Sequence, residues 1–151
     1  MRDKHEMEMI LSRIQADKHV QDIKNYIQHG RISTFEHCEN VAKLSYAIDE
    51  LLSLRSDLKV LITGAMLHDF FLYDWHEKGD GNHPLHGFSH AEKAAENASK
   101  YFAIDEKTRQ VIYCHMWPLN LVRVPKSREA WIVCFADKWV SIKDTLFRRN
   151  G

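Results

Sequence analysis

Histidine and aspartate stand side by side at His68 and Asp69, closing the apolar run Val60-Leu61-Ile62-Thr63-Gly64-Ala65-Met66-Leu67. An imidazole and a carboxylate at the end of a buried helix are the side chains that hold divalent transition metals. His37 lies upstream, and His90, His115 and Asp137 lie downstream, each on its own expected helix. Four histidines and two aspartates converging in space could hold two divalent ions. An oxygen or phosphate group could then be handled between them.

Those residues need helices to position them, and the chain reads as helix after helix. Pro and Gly are scarce and mark the breaks. A first helix is expected over 4–28, from Ile10, Leu11, Ile14 and then Ile23, Tyr26, Ile27 at helical spacing. Ser33 or Thr34 can cap a second helix. His37, Val41, Leu44 and Ile48 are spaced by four, three and four residues, so they share one face and His37 points inward. A third helix starts near Ser56 or Asp57 and carries His68 on the face of Leu61, Gly64 and Ala65. The two small residues would let another helix approach closely.

Periodicity disappears from Tyr73 to Ser89, which reads as a long loop. Ser89 could cap a fourth helix starting at His90. Asp105 could cap a fifth, ending at His115 or Met116. A second loop runs from Trp117 to Lys126, and Ser127 could cap a last helix with Val133, Cys134, Asp137, Val140 and Ser141 on one face. The expected fold is a single compact all-α bundle of about six helices over 1–151, with the ligand-bearing core at 34–145. Loops 73–89 and 117–126 would form the mouth.

Composition narrows the function classes. Hydrophobic content of 44% and charged content of 28% fit a soluble globular chain. Formal net charge is zero, which lacks the basic footprint of a nucleic-acid binder, and no duplex nucleic-acid partner is expected. No apolar run approaches the roughly 20 residues of a membrane helix, and the first residues lack the apolar core of a secretory signal. A cytoplasmic location is expected. Cys38, Cys114 and Cys134 are odd in number, without a CxxC pair, and suit reduced, buried thiols. Of the ten histidines, His5, His19, His29 and His76 sit in polar surroundings and read as surface residues.

The order His37, His68-Asp69, then His90, His115 and Asp137 resembles the HD-domain superfamily of metal-dependent phosphohydrolases. Phe35-Glu36-His37-Cys38-Glu39-Asn40-Val41-Ala42, Ala65-Met66-Leu67-His68-Asp69 and Phe135-Ala136-Asp137-Lys138 carry the likeness. His90-Ala91-Glu92-Lys93-Ala94 is similar to the HPxxG helix start of the two-metal subset, with Ala91 for Pro and Ala94 for Gly. His83-Pro84-Leu85-His86-Gly87 matches HPxxG better letter by letter, but His90 is preferred because a helix is expected to begin there and Ala94, Ala95 and Ala98 continue it; His86 is a candidate further ligand or substrate contact. The lysine of the HDIGK pattern is absent from His68-Asp69-Phe70-Phe71-Leu72-Tyr73, which leaves the substrate class open.

The resemblance implies one ion held by His37, His68, Asp69 and Asp137 and a second held by Asp69, His90 and His115. Asp69 bridges, and His68 and Asp69 stand at the reacting centre. Mixed nitrogen and oxygen ligation suits Fe, Mn, Co, Ni or Zn more than Mg. The implied activity is hydrolysis of a phosphoester of a small metabolite or nucleotide by a metal-activated hydroxide. Arg123, Lys126 and Lys138, with His86, could grip the phosphate. The same four histidines and two aspartates also match the diiron oxygenases of this superfamily, and a non-catalytic metal-binding regulatory module is a third reading.

Each element has a plainer account beside it. Asp137 on an apolar face needs a partner, which a salt bridge could supply as well as a metal. His115 could be an ordinary helix C-cap. His83 and His86 could be loop histidines. Glu36 could be an exposed helix charge, and Trp75 and Trp117 could be packing residues.

Overall fold

The computed structural model describes residues 4–29, 31–71 and 83–148, with side chains at 4–28, 31–71 and 89–146. Among these residues the chain forms seven α-helices and one short hairpin: α1 (Lys4–Gln15), α2 (Lys18–Asp22), β1 (Ile27–His29), β2 (Ile32–Ser33), α3 (Thr34–Leu51), α4 (Leu58–Leu67), α5 (His83–Tyr101), α6 (Glu106–Tyr113) and α7 (Arg128–Arg148). The fold is all-α, as expected, with one more helix than the periodicity suggested.

α4 is the axis of the bundle. Leu58, Val60, Leu61, Ile62, Gly64, Ala65, Met66 and Leu67 are all buried, and a helix apolar on nearly every side must be enclosed by others. α1, α3, α6 and α7 pack around it. At Gly64 the packing with α6 is tight. A Cβ placed there would lie 2.6 Å from Val111 Cγ1, so the glycine sets how closely α6 approaches α4. Ala91, Ala94, Ala95 and Ala98 give α5 a buried small-residue face in the same way.

Four caps fall where side-chain chemistry puts them. The Ser33 hydroxyl accepts from the Glu36 N–H at 3.1 Å while Glu36 accepts from the Ser33 N–H at 3.1 Å, a reciprocal capping box. Glu36 is therefore an exposed capping residue. Asp57 caps α4 through the Val60 N–H, and Asp105 caps α6 through the Thr108 N–H. The Ser127 hydroxyl likewise accepts from the Ala130 N–H at the start of α7.

The helix expected over 4–28 is corrected. α1 ends at Gln15, and the Asp17 carboxylate accepts from the His19 and Val20 N–H groups to cap α2. An aspartate that binds nearby N–H groups opens a new helix instead of continuing the old one. A 3-10 turn at Ile23–Asn25 then leads into the hairpin, which pairs Ile27 with Ser33 and His29 with Ile32. The loop expected over 73–89 is also corrected in part: residues 83–89 are helical and α5 begins at His83, not His90. Residues 72–82, including Trp75 and His76, lie outside the described residues.

His19, read as a surface residue, is half-buried, with its ring stacked 3.9 Å from that of Tyr101. The outer face of α7 leaves Trp131, Phe135, Trp139, Ile142 and Leu146 exposed at helical spacing. No described helix is long and apolar enough to cross a membrane.

Candidate metal centre

Five helices deliver six side chains to one place. His37 comes from the second turn of α3, His68 and Asp69 from the end of α4, His90 from α5, His115 from just past α6, and Asp137 from the middle of α7. All are buried except His90, which is partly so. Two groups of ligand atoms result, each within 4.8 Å across: His37, His68, Asp69 and Asp137 form one, and Asp69, His90 and His115 form the other.

In the first group, His37 Nε2 lies 2.9 Å and His68 Nε2 3.2 Å from Asp137 Oδ1. Asp69 Oδ2 stands 3.5 Å from His37 Nε2 and 3.3 Å from His68 Nε2. In the second group, His90 Nε2 and His115 Nε2 each lie 3.3 Å from Asp69 Oδ1 and 3.1 Å from one another. Asp69 thus turns one oxygen to each group. Its Oδ1 is buried and receives no hydrogen bond, and a buried acceptor of that kind suits a cation. The donors fit a pair of divalent ions on this ground.

Two of the histidines are aimed by the helices that end at them. His68 Nδ1 lies 2.6 Å from the Ala65 carbonyl and His115 Nδ1 lies 2.7 Å from the Ile112 carbonyl. Both carbonyls belong to the last turn of their helices, and that of Ile112 also accepts from the His115 N–H at 3.4 Å. Donation from Nδ1 to these carbonyls turns Nε2 into the cluster, the orientation that metal-ligating histidines require. The C-cap reading of His115 and the ligand reading are therefore one arrangement.

Charge in the cluster is balanced internally. Burial works against the cation at His37, yet the hydrogen bonds it donates to Asp137 and Asp144 lift it to about 10. Burial also opposes the cation at His68, where Asp69 raises the pKa well above the ordinary value. For the carboxylates burial favours the neutral acid. The histidines outweigh it and hold Asp69 and Asp137 well below the usual range. His115 is different: burial, with the charge on His68, lowers it.

The residues beside the cluster answer several expectations. Lys138 Nζ donates to the His115 carbonyl at 2.9 Å and also reaches Cys134, so it tethers the backbone of a cluster histidine. Arg123 stacks over the Tyr113 ring at 3.8 Å and approaches Glu92 at 3.5 Å. With Lys126 it lines a separate cavity of about 430 Å³ between α6 and the following loop. The structure ties neither cation to the cluster. His83 lies in α5, not in a loop, but its side chain and that of His86 fall outside the described side chains. Trp117 packs edge-on against Trp131 at 5.0 Å, a packing role. Cys38, Cys114 and Cys134 are buried and free, and burial pushes the Cys114 and Cys134 thiols up.

His90 supplies the second group although it does not begin a helix. It sits within α5, where a proline at 91 would clash with the preceding turn; Ala91 lets the helix run through. Two contacts were not foreseen. Phe71 places its ring edge-on to His90 at 5.9 Å. Gln28 Nε2 donates to Asp69 Oδ2 at 2.8 Å. No sequence signal marked Gln28, because it fell inside the expected first helix.

No curated protein and no solved structure matches the chain. The family model described as HD domain matches residues 34–140, a span that contains all six cluster residues and most of the helices carrying them. The histidine–aspartate doublet at the end of α4, its partners on four other helices and this match agree: the chain belongs to the HD-domain family.

Proposed function

We propose that this protein is a metal-dependent phosphohydrolase that uses two divalent transition ions to hydrolyse a phosphoester of a small metabolite or nucleotide. The observation that carries the reading is the split carboxylate of Asp69, with one oxygen toward His37 and His68 and the other toward His90 and His115. A carboxylate shared in this way is what joins two ions into one centre. When bound, the ions supply a water activated near neutral pH and positive charge for the phosphoryl oxygens.

The chain's own residues do the rest. His37, His68 and Asp137 hold one position, and His90 and His115 the other. The Ala65 and Ile112 carbonyls fix which nitrogen each of His68 and His115 presents. Lys138, bound to the His115 carbonyl, keeps that histidine's backbone in place. Phe70 and Phe71 are buried directly after the doublet and keep water away from its inner side.

The test is a phosphoester panel run on metal-stripped protein reloaded with Mn, Co, Ni, Fe or Zn. Phosphate release from at least one member is expected. Zinc-supported turnover without oxygen separates this chemistry from a diiron oxygenase, which needs a redox-active pair. Inactivity with every ion would sink the proposal.

A further inference from the structure

Gln28 lies outside the segment matched by the family model, on a hairpin strand, yet its side chain ends at the middle of the metal-ligand cluster. Its Nε2 donates to Asp69 Oδ2 at 2.8 Å, and its Oε1 accepts from the Thr34 hydroxyl at 3.3 Å. The direction of the amide follows from its neighbours. A carboxylate that holds a metal ion is ionised, and an ionised carboxylate only accepts. The NH2 end must therefore face Asp69, which turns Oε1 to Thr34 and makes the Thr34 hydroxyl the donor.

We propose that Gln28 is a positioning residue for the bridging carboxylate. It holds Asp69 rotated so that Oδ2 serves His37 and His68 while Oδ1 faces His90 and His115. The inference rests on the two-ion reading above and adds a residue from outside the six-ligand set.

Three observations carry it. The Gln28 contact is the shortest polar contact among those given for the Asp69 carboxylate, whose histidine neighbours stand at 3.3–3.5 Å. The amide is neutral, so it orients Asp69 without competing with a cation for the site. A carboxylate oxygen has two lone pairs, and the amide occupies one of those on Oδ2 and leaves the other for an ion. The hairpin is also anchored: Thr34 is fully buried, and its N–H donates to the Tyr26 carbonyl at 2.8 Å. Gln28 therefore reaches Asp69 from a fixed base.

The test titrates Mn2+ into metal-stripped protein by calorimetry, with electron paramagnetic resonance to read the fraction of exchange-coupled ion pairs. Wild type is expected to bind two ions per chain. Gln28→Ala should weaken Mn2+ binding about tenfold to a hundredfold, the range for loss of a group that orients a ligand, and should lower the coupled fraction. Gln28→Asn, one methylene short, should behave like Gln28→Ala. Thr34→Val should give a smaller loss that disappears in the Gln28→Ala background, because Thr34 acts through Gln28. The metal-free melting temperature of Gln28→Ala should stay within a few degrees of wild type. Wild-type affinity and coupling in Gln28→Ala would overturn the inference alone. So would a Thr34→Val loss that adds fully to that of Gln28→Ala, since both would then only support the hairpin. Failure of wild type to bind Mn2+ at all would instead bring down the two-ion reading, and this inference with it.

Discussion

The two halves of the cluster share Asp69 and each add two histidines, but they differ in charge. The deeper half has two fully buried histidines, His37 and His68, and Asp137, whose side chain is 12% exposed, with the histidines raised and the carboxylate lowered by one another. The outer half has a fully buried His115, which is lowered, and His90, whose side chain is exposed to the same extent as that of Asp137, with no carboxylate of its own beyond the shared Asp69. The deeper half keeps protons where an ion would sit, so an ion entering there must displace them. The outer half has a lowered His115 and depends on Asp69 for negative charge. The ion beside Asp137 should be the tighter one and the outer ion the more exchangeable.

The largest effect is expected from Asp69→Asn, which removes the charge both halves share. Elemental analysis should find neither ion bound stoichiometrically, and phosphoester turnover should be lost. Two ions retained in Asp69→Asn would mean that the halves are independent.

Separating the halves comes next. His115→Ala should leave one tightly bound ion per chain, whereas Asp137→Ala should lose the tight ion and weaken the other. If Asp137→Ala kept the tight ion, the ranking of the halves would be reversed.

A pH series sharpens the same comparison. In the metal-free protein His37 is raised from 6.5 to about 10, so its stabilisation is complete below pH 6.5 and is lost as pH rises toward 10. Asp69 and Asp137 are lowered, so their stabilisation is present above the ordinary carboxylate range and is lost on acidification. Thermal melts of the metal-free chain should be highest between about pH 4 and 6.5 and fall on the alkaline side, by up to about 1.4 kcal/mol per pH unit for each proton released. The increment in stability from added metal should grow over that same alkaline range. A flat metal-free profile from pH 6.5 to 9 would show that the deeper half holds no extra proton.

The smallest effect concerns the spacing between the halves. Gly64 on α4 faces Val111 on α6, and these helices carry Asp69 and His115. Gly64→Ala should cost about 1–3 kcal/mol, the range for overpacking, and should weaken the outer ion more than the deeper one. Val111→Ala in the same chain should restore part of both. Equal weakening of the two ions would show that this contact supports the fold without setting the spacing.

Much of this was legible along the chain. The spacing of His37 with Val41, Leu44 and Ile48 placed an imidazole on a buried face, and Asp137 between Val133 and Val140 did the same for a carboxylate. Ser33, Asp57 and Asp105 announced their helices because a capping oxygen acts within three residues of itself. The break after Gln15 was missed because the apolar rows continue past it, while the Asp17 cap depends on a local competition that periodicity does not record. Lys138 was read as a phosphate grip because its charge is visible and its bond to the His115 carbonyl is not.

The order and type of the six ligands, and the helices beneath most of them, follow from local spacing, since helical periodicity and capping act over a few residues. The partition of Asp69 between two pairs of histidines, the approach of α6 to α4 at Gly64, and the arrival of Gln28 from a hairpin do not. Those depend on where atoms distant in sequence come to rest, which packing around α4 decides.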